Sequence, residues 1–250
     1  MNLLLLDPGE IVDGHVRLDG RRARHLLDVL GVEVGAAVRA GIAGGAIGSA
    51  TVTAIASGVI DLDVGCDRPP PPRLPVVLVL AVPRPKVLTR VIEAAAAFAV
   101  ERVELVNAWR VDKAYLASPR LTADALALAV RLGAEQGATT HLPAVTVHRR
   151  LMGFLDRDHP AGALPTAPAL CAHPRSPAWI EDAAPFARDR VDAAPITLAI
   201  GPEGGWIERE VETFAARGFA IVGLGQAVLR VEAAVAAALG QLALLARTRS

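Results

Sequence analysis

Four consecutive prolines, Pro69 to Pro72, divide this chain into two stretches that obey different patterns. Each proline fixes φ and removes a backbone donor, so the segment predicts a stiff, extended connector over 69–75. Before it, apolar residues come in short alternating runs: His15-Val16-Arg17-Leu18, Ala50 to Ile55 and Val59 to Val64. Turn pairs such as Asp13-Gly14, Gly44-Gly45 and Ser57-Gly58 separate them. That predicts a small antiparallel β-barrel over residues 1–68, interrupted by one helix near 22–30. After the prolines, Val76 to Val82 is an unbroken apolar run, the mark of a strand buried on both faces. Helices are predicted near 85–99, 122–136, 148–156, 178–187, 207–217 and 230–247. Strands are predicted at 103–106, 144–147, 169–172, 196–200 and 219–224. Strand–helix alternation implies an α/β domain over 76–250 built on a mostly parallel sheet.

Composition narrows the functional classes. Twenty-six basic residues balance 26 acidic ones, so no global charge points to a polyanion. The basic residues are nearly all Arg, with only Lys86 and Lys113 as lysines. Two cysteines, Cys66 and Cys171, cannot form a disulfide framework and fit a reducing, cytoplasmic setting. The opening MNLLLLDPGE lacks a basic leader and is not read as a signal peptide. The longest uncharged apolar run, Ala233 to Ala246, is too short to span a bilayer, so no membrane partner is expected. His141, His148 and His159 lack metal-ligand spacing and read as surface histidines; His15 lies in a strand and reads as partly buried. No metal is expected. Trp109, Trp179 and Trp206 read as core or interface anchors.

Two segments carry the chemistry. Ile200-Gly201-Pro202-Glu203-Gly204-Gly205 lies where a buried strand ends and a helix begins, the place where open α/β sheets bind ligands. It is neither a Walker loop nor a GxGxxG fingerprint. The second, Gly223 to Ala234, again runs from strand to helix and puts Arg230 and Glu232 in a first helical turn. A glutamate suits that end of a helix; an arginine there implies a carboxylate or an anionic ligand nearby.

These segments resemble the SPOUT methyltransferases, and within them the bacterial RsmE-type family that methylates N3 of a uridine in the decoding region of 16S rRNA. Such proteins carry IGPEGG and then LG-x-RILR-x-ETA, matched here by Ile200–Gly205 and Leu224–Ala234. Arg24 to Leu30 followed by Gly35, Glu135-Gln136-Gly137 and Leu170 to Pro174 match further motifs in the same order. Departures occur at Gly31, at 93–99, near Thr139, at Ala227 and at Ala233.

The resemblance implies a PUA-like barrel followed by a SPOUT domain with a C-terminal trefoil knot. It implies S-adenosylmethionine as cofactor, held by His173, Ile200, Gly201, Glu203, Gly204, Gly205, Leu224, Gly225, Val228 and Leu229. Arg230 and Glu232 would act in catalysis. Arg17, Arg21, Arg22, Arg24 and His25, the densest basic cluster of the chain, would bind RNA. The expected partners are 16S rRNA or the small ribosomal subunit and a second copy of the chain, paired through the knot domain. A different RNA nucleotide as target, or RNA binding without turnover, stays open as an alternative.

Overall fold

The structure is a computed structural model that describes residues 2–162, 167–183 and 194–248. The first unit is a five-stranded sheet of β1 (Leu4–Leu6), β2 (His15–Leu18), β3 (Ala37–Ile42), β4 (Ile47–Ala56) and β5 (Val59–Arg68). The spatial order is β1-β3-β4-β5-β2, antiparallel except for the parallel pair β1–β3. A short helix, α1 (Gly20–Arg24), runs into a π-helical turn over His25–Val29. Val16, Leu18, Val52, Ile60 and Leu62 alternate inward and close a core with Leu4, Leu6, Ala23 and Leu26. His15 points outward, its side chain 66% exposed beside Asp63, because the partners of an alternating strand fall on opposite faces; the expectation of partial burial is corrected.

The N-terminal apolar residues form β1, a strand that the alternation pattern does not reveal. Leu4 and Leu6 face the core of the first unit, whereas Leu3 and Leu5 pack with Ile47 of β4 against Ala134 of the second. A strand covered on both faces reads as an unbroken apolar run.

The second unit contains β6 (Leu74–Ala81), α2 (Pro85–Ala97), β7 (Val100–Val106), α3 (Lys113–Leu116), α4 (Ala123–Gly137), β8 (Ala144–His148) and α5 (Leu151–Asp158). Then come β9 (Ala169–Ala172), α6 (Ile180–Ala183), β10 (Ile196–Ile200), α7 (Glu208–Ala216), β11 (Ala220–Val222) and α8 (Val231–Thr248). Residues 184–187 of the helix expected over 178–187 lie outside the described residues. The six strands are all parallel, in the order β11-β9-β10-β6-β7-β8. β6 starts two residues earlier than the apolar run suggests: Leu74 donates to Ala99 O (3.0 Å), and a register shift accommodates Pro75. From β6 the chain builds outward through β7 and β8, then returns to the other side of β6 with β9, β10 and β11. This reversal leaves a crevice at the carboxyl ends of β6 and β10.

α2 packs on α4 and α8. At the α2–α4 seam a Cβ on Gly133 would lie 2.2 Å from Glu93 O, and one on Gly137 would lie 2.3 Å from Ala97 O. Ala94 to Ala97, within the stretch that departs from the resemblance, lie in the helix that makes this close approach.

The two units are pinned together. Asn2 N and Leu3 N donate to Glu135 O (3.1 and 3.0 Å), and Asn2 Nδ2 donates to Gln136 O (2.8 Å). Arg21 meets the Glu135 carboxylate at 3.0 Å, and Arg131 meets Asp7 at 2.7 Å. Thr140 Oγ1 donates to Gly45 O (2.7 Å). The Glu-Gln segment of α4 is therefore a docking point for the N-terminal unit.

Candidate active site

Five strands deliver their carboxyl-terminal loops to one cavity of about 1110 Å³. After β10, Gly205 N donates to Pro202 O (2.7 Å), closing a turn that Gly205 completes at φ +70°, a conformation glycine adopts without strain. Glu203 turns back to accept from Arg84 N (2.9 Å) in the loop after β6. Arg110, from the loop after β7, donates to Gly204 O. Glu210 on α7 joins two loops, accepting from Ile207 N (3.0 Å) and from Trp109 N (2.9 Å).

On the other wall, His173 N donates to Val222 O (2.9 Å) and Ser176 Oγ to Ile221 O (2.7 Å), binding the loop after β9 to β11. Leu224 O accepts from Gln241 Nε2 of α8 (2.9 Å). From there residues 225–230 run exposed along the cavity, with Val228 82% exposed.

His173, Ile200, Gly201, Glu203, Gly204, Gly205, Leu224, Gly225, Val228 and Leu229 all line this one cavity, as do Arg230 and Glu232. Residues separated by up to 59 positions thus converge. Among the described residues Arg230 and Glu232 form no ion pair with each other, so of the two partners that the sequence leaves open for Arg230 Glu232 is not one, and both groups stay available to a ligand. The sequence reading missed Arg84, Val87, Arg110, Arg175, Trp206, Glu208 and Val211, which also line it. The same rule that singled out the loop after β10 applies to the loops after β6 and β7; Pro83-Arg84-Pro85 was the available signal.

The N-terminal basic cluster is divided, and none of it reaches the cavity. Arg21 is bound to Glu135, and Arg22 to the Glu10 carboxylate and Leu5 O. That contact holds the Glu10 carboxyl below its ordinary pKa and raises that of Arg22. Arg17 lies 3.9 Å from Asp61, and Arg24 is exposed, bonded back to Gly20 O (3.3 Å). His25 Nε2 is buried without a partner.

The histidine reading needs correction. His148 is a side chain 9% exposed, bonded to Glu104 at 2.6 Å, which Arg102 also meets at 2.8 Å. His141 Nε2 reaches Val100 O (2.9 Å). His159 packs between Phe154 and Phe219, and burial lowers its pKa. Turns placed these residues near the surface in sequence, but Phe154 of α5 packs against both His148 and His159. Trp206 is buried against Phe214, whereas Trp109 is 79% exposed. Burial raises the pKa of both thiols, Cys171 most. Among the described residues no cluster of three or more His, Cys, Asp or Glu could hold a metal, and no helix is long and apolar enough to cross a membrane.

Comparison with known proteins decides the family, because an RNA methyltransferase domain matches residues 70–243. The chain belongs to the RNA methyltransferase family. The ribosomal RNA small subunit methyltransferase E of Treponema pallidum is 28% identical over 241 residues, 95% of this chain and 89% of that protein. The Synechocystis protein of the same name is 47% identical over 49 residues, 20% of this chain and 16% of its own. The same fold occurs in a crystal structure of ribosomal RNA small subunit methyltransferase E from Neisseria gonorrhoeae bound to S-adenosylmethionine. That match has a TM-score of 0.73 and 21% identity and covers 98% of each chain. In this RNA methyltransferase, then, the parallel sheet and the curled N-terminal sheet correspond to a SPOUT domain and a PUA-like domain.

Proposed function

We propose that the protein transfers a methyl group from S-adenosylmethionine to N3 of a uridine in the decoding region of 16S rRNA, acting on small ribosomal subunits in the cytoplasm. The observation that carries this reading is the convergence of twelve motif residues on one cavity at the carboxyl ends of the parallel strands. The cavity suits the cofactor. Pockets for drug-sized ligands measure roughly 300–1,000 Å³, so a cavity of about 1110 Å³ takes the cofactor and leaves space for an incoming base. Leu224, Val228 and Leu229 give an apolar wall for the adenine, and the glycines of 201–205 let backbone groups approach it. The residues after β11 would be the knotted segment, held to α8 by Gln241. Residues 1–68 would form the RNA-recognition domain.

The cofactor supplies a methyl group on a sulfonium; the chain's own residues must prepare the acceptor. Uracil N3 carries a proton, and as it leaves, negative charge spreads onto the two flanking carbonyl oxygens. Arg230, in no ion pair among the described residues, can stabilise that charge, a type of contribution worth about 2.7–4 kcal/mol in other enzymes. Glu232 lies within the same turn and can accept the proton. Single-turnover methylation with Arg230→Ala and Glu232→Gln, under saturating cofactor and RNA, tests the assignment. Slow transfer with both ligands still bound is expected; near-normal rates would remove both residues from the chemistry.

The second part of the proposal is a homodimer. Val228 and Leu229 stand 82% and 37% exposed beside α8, whose other face (Val235, Ala238, Leu239, Leu242) is already buried in the chain. Apolar residues held in water at a wall of the cavity call for a covering surface, and a second copy supplies one next to the same loop.

A further inference from the structure

Trp109 is 79% exposed, yet its backbone and its neighbours in the loop are held by hydrogen bonds. Its own N–H donates to Glu210 Oε1 (2.9 Å). Two residues earlier, Asn107 accepts from Leu151 N (3.0 Å), donates from its backbone to His148 O (3.3 Å) and from Nδ2 to Arg149 O (3.2 Å). Val111 N closes the loop onto Ala108 O (3.1 Å), and Val111 itself is buried. A large aromatic side chain is thus presented to water from a braced loop. Bracing of this kind removes the entropy cost of holding a flat surface ready for a ligand.

The neighbours define the ligand. Arg110, the next residue, lines the cavity. Arg149, whose carbonyl accepts from Asn107 Nδ2, and Arg150, the next residue, are exposed. Among the described residues none of Arg110, Arg149 and Arg150 forms an ion pair. An exposed indole next to Arg110, on a loop bonded through Asn107 to the segment that carries Arg149 and Arg150, is the combination that binds unpaired nucleic acid: the ring stacks on a base and the cations meet the phosphates.

We propose that Trp109 stacks on an unpaired base of the RNA substrate at the mouth of the cavity, with Arg110, Arg149 and Arg150 drawing in the adjoining backbone. The inference rests on the methyltransferase reading and adds to it the surface that receives single-stranded RNA. It places substrate binding on the second unit, at the entrance to the cavity, in addition to any contribution from the N-terminal unit.

The test is binding of a fluorescein-labelled oligoribonucleotide of about ten uridines, followed by anisotropy. Removal of one stacked base should weaken binding about 5- to 150-fold in Trp109→Ala. Trp109→Phe, which keeps a flat ring, should stay within about threefold of the unsubstituted protein, and calorimetry should show S-adenosylmethionine affinity unchanged in both. Equal RNA affinity in Trp109→Ala, or no binding of the oligonucleotide by the unsubstituted protein, overturns the proposal. So does a Trp109→Ala variant that loses only a dimeric mass in light scattering, because the ring would then serve a protein contact. Methyl transfer to ribosomal RNA by the unsubstituted protein is assayed separately, so a failure of stacking is distinguishable from a failure of the methyltransferase reading.

Discussion

Replacing Arg21 by Ala should destabilise the whole chain, an effect that a purely RNA-binding arginine would not have. The guanidinium makes three contacts of 3.0–3.2 Å with the Glu135 carboxylate. Glu135's side chain is 2% exposed and Arg21's 46%. The variant therefore leaves a buried carboxylate without its countercharge. Breaking a buried ion pair by removing one partner costs about 3–5 kcal/mol. The half-exposed arginine leaves a volume that water can enter, which places the loss at the lower end, about 3 kcal/mol. In a chain of 250 residues each kcal/mol lowers Tm by about 2–4 °C, so a fall of about 6–12 °C is expected. Scanning calorimetry reads it, with two companions. Adding Glu135→Gln to Arg21→Ala should recover part of the loss, since a neutral amide tolerates burial better than an unpaired carboxylate. Arg24→Ala, an exposed neighbour in the same basic run, should change stability by no more than about 0.5 kcal/mol. A Tm within a degree or two of the unsubstituted protein for Arg21→Ala would refute the argument and return the residue to the RNA cluster.

Gly133→Ala in α4 pits helix propensity, about 0.5–1 kcal/mol in favour of Ala, against a Cβ 2.2 Å from Glu93 O. Overpacking at about 1–3 kcal/mol should win, so Tm should fall, whereas Gly153→Ala on α5, with nothing within 4 Å, should raise it. For His159, burial lowers the folded-state pKa below the ordinary value of about 6.5. The unfolded chain then binds more protons in that window, so the contribution is complete above about pH 6.5 and is lost as the pH falls through the lowered value. His159→Phe should flatten that part of the stability–pH curve; an unchanged slope would contradict the sign. Light scattering at micromolar concentration should give a dimeric mass, and Val228→Asp with Leu229→Asp should give a monomeric one.

Much of the architecture could be read from local pattern. Val76 to Val82 had to be a buried strand because no alternation relieved its apolar run, and Ile196–Ile200 followed by glycines had to open onto a ligand-facing turn. The cavity wall was readable for the same reason: a single rule about strand ends selected most of it. What escaped was long-range. Arg21 and Glu135 are 114 positions apart, so nothing local marks Arg21 as a pin between two units. β1 was hidden because its two faces serve two different cores. His148 was misjudged because its burial depends on Glu104 and Phe154, which arrive from other elements. Arg84 and Arg110 were missed because they follow strands whose loops carry no glycine signal.

The central claim is transfer of a methyl group to one uridine nitrogen of ribosomal RNA. The direct measurement is incubation of small ribosomal subunits lacking the modification with S-adenosylmethionine carrying an isotopically labelled methyl group, followed by nuclease digestion and mass spectrometry of 16S rRNA fragments. One label per subunit, on N3 of a single decoding-region uridine, is the predicted result. Label on another nucleotide or atom, or none at all from a protein that binds both cofactor and subunit, would contradict it.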